Sequence, residues 1–161
     1  MINILWGNVG TVLFWMLWPV WVVYFRYFKN RSRILVVVDT EILVVSGWLG
    51  DKRLGLPGGG TKRHETARNS AVRELFEETG ILVAESSLTE LGRMLHKSRG
   101  LRYTAEYFVL QLPKKPVLKL RKPEIFSACW IAIDYYPKCK LGDDTVYAVS
   151  KYRPPTQASL L

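Results

Sequence analysis

The sequence predicts one α/β domain behind a single transmembrane helix. Three observations carry that expectation. Residues 2–25 contain no charged side chain, a longer run than the roughly 20 residues a helix needs to cross a bilayer. Segments 33–39 and 41–46 are almost continuously Val, Ile and Leu, the pattern of strands in a sheet covered on both faces. Between residues 65 and 80, Ala67, Ala71, Val72 and Leu75 recur at three- and four-residue steps, which is a helical period.

The N-terminal run is apolar all round rather than on one face, so it reads as embedded and not surface-lying. Trp6, Trp15, Trp18, Trp21 and Tyr24 suit the headgroup level, and Pro19 is placed to kink the helix. A cleaved signal peptide fits less well: there is no basic leading segment and no small-residue cleavage site. A soluble domain with a buried hydrophobic hairpin is the other alternative. Residues 26–32 then form a basic juxtamembrane linker. Arg26, Lys29, Arg31 and Arg33 keep that side cytoplasmic, since excess Lys and Arg stay on the inner face. The expected organisation is a transmembrane helix over 1–25, a cytoplasmic α/β domain over 33–153 and a loose tail over 154–161, in a single-pass protein of the cell membrane. A linker this short spans about 25 Å when extended, so the domain rides near the headgroups. Contact of the basic cluster with anionic lipid adds about 1 kcal/mol per charge.

The formal charge is +9 over 161 residues. The four basic residues above leave roughly +5 for the remainder, which is moderate and implies no nucleic-acid partner. Cys129 and Cys139 have no metal spacing and read as reduced thiols of a cytosolic domain. Oligomeric state is not legible.

Within the domain, Asp39-Thr40 reads as a tight turn between the first two strands, and residues 47–52 as a loop. Trp48 and Arg53 are candidate substrate contacts, through base stacking and phosphate binding; a packing Trp and a solvated Arg are the simpler alternative. Pro57 stops a strand because it cannot donate to a ladder. The glycines at 58–60 let backbone approach a ligand. The helix is expected to start near Glu65 or Thr66 and to end at Gly80 as a left-handed cap. Residues 81–83 read as extended. Strands over 88–96 and 103–112 are joined across a hairpin loop at 97–100, with Tyr103, Ala105, Tyr107, Val109 and Gln111 on one face and Thr104, Glu106, Phe108 and Leu110 on the other. His96, beside that loop, reads as solvated; a substrate contact or a proton carrier is the alternative. Residues 113–123 form a loop carrying Lys114, Lys115, Lys119, Arg121 and Lys122, suited to substrate phosphates, to anionic lipid, or simply to solvent. A strand over 124–134 is expected to bury Trp130. Asp143, Asp144 and Thr145 offer N-caps to a short last helix reaching Tyr152.

The chemistry lies in Glu74, Glu77 and Glu78. At i, i+3 and i+4 they share one helix face, where like charges cost about 0.2–0.5 kcal/mol per pair. Carboxylates gathered at that cost suit a hard divalent cation such as Mg2+ or Mn2+.

The stretch from Gly59 to Ile81 resembles the Nudix box, G-x5-E-x7-R-E-U-x-E-E-x-G-U with U a bulky aliphatic. Gly59, Glu65, Arg73, Glu74, Leu75, Glu77, Glu78, Gly80 and Ile81 meet every fixed position. The resemblance implies an α/β/α sandwich around a mixed sheet, with the box forming a loop, helix and loop against it. It implies Mg2+- or Mn2+-dependent cleavage of a nucleoside diphosphate linked to another moiety, so the partner is a small-molecule diphosphate. Glu74, Glu77 and Glu78 correspond to metal ligands, and Gly59 supplies a carbonyl near the metal. Arg73 orients the glutamates, and Glu65 supports. The general base in such proteins is a glutamate of the box or one on a loop before a late strand bearing a Trp. Glu124, six residues before Trp130, matches the second placement. Nucleoside triphosphates, ADP-ribose, nucleotide sugars and lipid-linked diphosphates all remain open as substrates. A non-catalytic Nudix module that binds a nucleotide or a partner at the membrane is the alternative.

Overall fold

The computed structural model describes residues 12, 13, 15–20, 30–47, 53–98, 101–122, 124–134 and 140–152. The membrane helix expected over 1–25 therefore lies mostly outside the described residues, as do residues 26–29 of the linker and the tail beyond 152. Among the described residues no helix is long and apolar enough to cross a membrane.

Among the described residues, five strands form one sheet in the order β3-β4-β1-β2-β5. They are β1 (Asn30–Val38), β2 (Glu41–Gly47), β3 (Thr89–Ser98), β4 (Leu101–Gln111) and β5 (Ile125–Ala132). β1 runs parallel to β4, while β1–β2, β2–β5 and β3–β4 are antiparallel, so the sheet is mixed. Asp39 turns β1 into β2 at φ 50°, a left-handed conformation Asp tolerates.

The continuous apolar runs of β1 and β2 are explained by cover on both sides. Ile34, Val36, Leu43, Phe108 and Leu110 pack with Ala71 and Leu75 of helix α1 (Ala67–Thr79). Leu35, Val37, Ile42, Val44, Ala105, Tyr107 and Val109 pack with Ala148 and Val149 of helix α2 (Asp143–Lys151). The alternation expected along β4 is the one observed, and the result is an α/β/α sandwich.

Several local expectations are corrected. β1 begins at Asn30, so Asn30, Arg31 and Ser32 of the expected linker are already paired to Thr104, Ala105 and Glu106 of β4. Residues 81–83 have no strand partner; Ile81 is buried beneath α1 instead. The β3–β4 ladder continues to Ser98↔Leu101, through much of the expected loop. Trp130 is only half-buried, because β5 is an edge strand; Lys115 Nζ lies 5.7 Å from its ring centroid. The N-cap of α2 is Gly142, with Asp143 and Asp144 in the first helical turn.

Candidate active site

β2 leaves β1 after a short ladder, and the segment from Leu54 to Thr61 fills the gap. Gly55 exchanges two backbone hydrogen bonds with Val45, Ile34 N–H donates to Pro57 O at 3.0 Å, Ser32 N–H to Gly59 O at 3.0 Å, and Thr61 N–H to Asn30 O at 3.0 Å. The glycine loop is thereby stitched to β1 directly above α1. Two glycines are required by what stands around them. Gly58 has φ 138°, and a Cβ there would lie 2.2 Å from Ser32 O; a Cβ on Gly59 would lie 2.4 Å from the Glu74 carboxylate.

α1 is delimited by its own chemistry. Thr66 caps its start by accepting a hydrogen bond from Asn69 N–H at 3.0 Å, and Gly80 ends it at φ 76°, the left-handed cap the sequence predicts. The loop after β4 docks on that end. Lys119 N–H donates to Thr79 O at 2.8 Å and Arg121 N–H to Glu78 O at 3.3 Å, satisfying carbonyls that a helix C-terminus leaves without partners. Lys115 pairs with Glu41, and Arg121 Nη1 stands 3.3 Å from Glu77 Oε2. The basic loop is thus partly bound to its own domain.

Arg73 stands at the centre of the acidic residues. Its guanidinium meets Glu65 at 2.8 and 3.0 Å, Glu74 Oε1 at 2.8 Å, Glu77 Oε2 at 3.3 Å and Gly60 O at 3.1 Å. The hydrogen bonds that Arg73 donates to Glu65 raise the arginine's pKa and hold the Glu65 carboxyl below its usual range. Glu78 is separate from this fork and buried at 8% exposure. Its Oε2 accepts from Gly58 N–H at 2.9 Å. Burial pushes its pKa up to about 7, against the opposing Gly58 hydrogen bond and Arg33 charge, with Glu74 and Glu124 adding upward pressure. Glu124 itself is exposed, in the turn before β5, 3.9 Å from Arg121 Nε. Among the described residues no three His, Cys, Asp or Glu side chains are grouped as a bound metal ion requires; Arg73 lies among two of the three glutamates, and the backbone of the glycine loop holds the third.

Of the expected substrate contacts, Trp48 lies outside the described residues. Arg53 Nη1 reaches Asp143 Oδ1 at 3.4 Å, at the start of α2. Gly59 O already accepts from Ser32 N–H, which leaves its second lone pair. Arg33 was missed by sequence reasoning. It counts there as one of a juxtamembrane basic cluster, yet its side chain is 14% exposed, with Nε 2.9 Å from Asp144 Oδ2 and Nη1 donating to Gly58 O. His96 is also corrected: it is buried, its Nε2 is 2.5 Å from Tyr107 Oη, and its ring stacks on Tyr103.

A family model described as the NUDIX domain matches residues 28–148. The fold is similar to a MutT NUDIX hydrolase from Burkholderia pseudomallei, at TM-score 0.70 and 22% identity over 78% of this chain and 98% of that one. It is also similar to the E. coli dihydroneopterin triphosphate pyrophosphohydrolase, at TM-score 0.64 and 17% identity over 77% and 94%. A third is the NUDIX domain of Shewanella oneidensis NrtR complexed with ADP ribose, at TM-score 0.66 and 14% identity over 76% and 84%. No curated protein matches the sequence.

Proposed function

We propose, on the premise that this chain belongs to the NUDIX family, a hydrolase family that cleaves diphosphate bonds, that it is a magnesium-dependent hydrolase of a nucleoside diphosphate linked to another moiety, acting at the cytoplasmic face of a membrane. One observation carries the reading most: Glu78 is a buried carboxylate aimed by the Gly58 amide, beside Glu74 and beneath a loop where only glycine leaves room.

The donor chemistry fits a hard divalent ion. Glu74, Glu77 and Glu78 offer carboxylate oxygens and Gly59 a carbonyl, with no nitrogen or sulfur among them, which suits Mg2+ or Mn2+. A Cβ at Gly59 would press into the Glu74 carboxylate, so the bare glycine preserves space where that ligand stands. When bound, such an ion neutralises the diphosphate and lowers the pKa of a water. Arg73 fixes the direction of Glu74 and Glu77, limiting their rotation before substrate arrives. Glu124 is the proposed base: exposed to water, close enough to Glu78 to perturb it, and able to take a proton from the attacking water. Arg53 and Trp48 are proposed contacts to the substrate.

The membrane position rests on the uncharged run at residues 2–25 and favours a diphosphate made or held at the bilayer, such as a nucleotide sugar or a lipid-linked diphosphate. The test is a panel of mixed diphosphates, given to full-length protein in lipid and to the domain from residue 30. Mg2+-dependent release of a monophosphate supports the proposal. Binding without turnover would favour a nucleotide-binding module. Full-length protein in the soluble fraction of lysed cells would remove the membrane part.

A further inference from the structure

Arg33 sits in the middle of a strand whose neighbouring residues, Ile34 and Leu35, are completely buried. A guanidinium in such a place needs partners for its donors, or it is costly. It has two. Nε is 2.9 Å from Asp144 Oδ2 in the first turn of α2, and Nη1 donates to the Gly58 carbonyl. On its other side Gly58 donates its N–H to Glu78 Oε2 at 2.9 Å. One glycine is thus gripped at both its carbonyl and its amide, the first from β1 and the second from α1.

Gly58 needs such an anchor. At φ 138° it occupies a conformation that glycine enters and leaves freely, having no Cβ to restrict it. Nothing in its own side chain keeps the N–H pointed at Glu78. We propose that Arg33 is a positioning residue for the catalytic loop: by holding the Gly58 carbonyl it keeps the Gly58 amide aimed at Glu78, and so sets where that carboxylate stands. Asp144 Oδ2 orients the guanidinium by accepting from Nε, a role that an amide oxygen can also fill. The proposal rests on the reading of Glu78 as a working carboxylate, but the geometry it asserts exists without substrate or metal.

Two variants remove the grip. Arg33→Lys keeps the charge but loses the fork that serves Asp144 and Gly58 together. Arg33→Met combined with Asp144→Asn removes both charges, so no unpaired carboxylate is left buried. A third, Asp144→Asn alone, keeps an acceptor for Nε. In the full-length protein, hydrogen exchange of the Gly58 amide is measured against the Val36 amide, which reports global opening. The first two variants are expected to speed Gly58 exchange at least tenfold relative to Val36. On the mixed diphosphate that the wild-type protein cleaves fastest in the panel, they are expected to lower kcat by tenfold to a hundredfold, the scale of a misplaced group, with KM within about twofold. Asp144→Asn alone should lose markedly less on both readouts. Unchanged Gly58 protection in both grip variants overturns the proposal. So does a loss in Asp144→Asn equal to that in Arg33→Lys, which would mark the pair as an ordinary tie between α2 and the sheet. If the wild-type protein cleaves no diphosphate, the proposed function fails while the exchange data still decide the role of Arg33 in the loop.

Discussion

The carboxylate of Glu78 accepts a 2.9 Å hydrogen bond from the Gly58 amide at a site almost closed to water. A single amide is a small return for burying a negative charge. The site therefore stores unfavourable free energy in the protein by itself, and the first prediction follows from its sign.

Burial raises the Glu78 pKa to about 7 from 4.5. The folded state then prefers the protonated acid: this contribution is full below pH 4.5 and is lost as pH rises through about 7. At pH 8 the ionised group costs about 3 kcal/mol. Glu78→Gln, which keeps an acceptor for Gly58, should raise the metal-free melting temperature at pH 8, with most of that gain gone at pH 5. It should also lower turnover by several orders of magnitude. Thermal melts in chelator at both pH values check this; an unchanged melt at pH 8 would show that the carboxylate is better solvated than the geometry indicates.

The adjacent glycines should respond differently to the same substitution. At Gly58 a Cβ meets backbone, 2.2 Å from Ser32 O, at a positive φ. Gly58→Ala is expected to lose roughly 1–3 kcal/mol to overpacking and about as much again to backbone strain. At Gly59 the obstacle is the end of the Glu74 side chain, which can swing away. Gly59→Ala should therefore fold with a melting point near wild type and lose activity. Comparable destabilisation in both would contradict this division.

His96 gives a test of stability independent of the glutamates. Burial lowers its pKa, with Arg33 and Arg31 acting in the same direction and Asp144 and Asp143 opposing. A depressed folded pKa means the contribution is intact above pH 6.5 and is lost as pH falls below it towards the folded value. Urea unfolding at pH 7.5 and 5.5 should show an acid loss in wild type that is smaller in His96→Gln. Equal losses would mean His96 does not carry that pH dependence.

What was legible in the sequence is what local spacing encodes. The period of Ala71 and Leu75, the Gly80 cap and the alternation from Tyr103 to Leu110 each depend on near neighbours, and each is found. The misreadings come from tertiary contacts that local spacing does not encode. His96 is buried because it lies opposite Tyr103 in the hairpin and reaches Tyr107. Arg33 resembles its juxtamembrane neighbours until α2 brings Asp144 to it from 111 residues away. Trp130 is half-exposed because, among the described residues, no strand lies outside β5.

Arg73 yields the last prediction. Its guanidinium touches Glu65, Glu74 and Glu77, so in the metal-free protein it is a principal neutraliser of the acidic turn. All four side chains are partly exposed, at 13–33%, so solvent screens part of the interaction. Arg73→Gln should therefore cost about 2 kcal/mol, less than the roughly 3–5 lost when a fully buried pair is broken. The consequence for metal is specific. With the arginine gone, Arg121 still stands by Glu77, but Glu65, Glu74 and Glu77 repel one another more strongly, and a divalent cation placed among them relieves more repulsion than it does in wild type. Millimolar Mg2+ should then raise the melting temperature of Arg73→Gln more than that of wild type, while catalysis stays impaired because the glutamates are no longer aimed. Calorimetric melts with and without Mg2+ decide it: equal increments in the two proteins would mean the ion and the guanidinium do not answer to the same carboxylates.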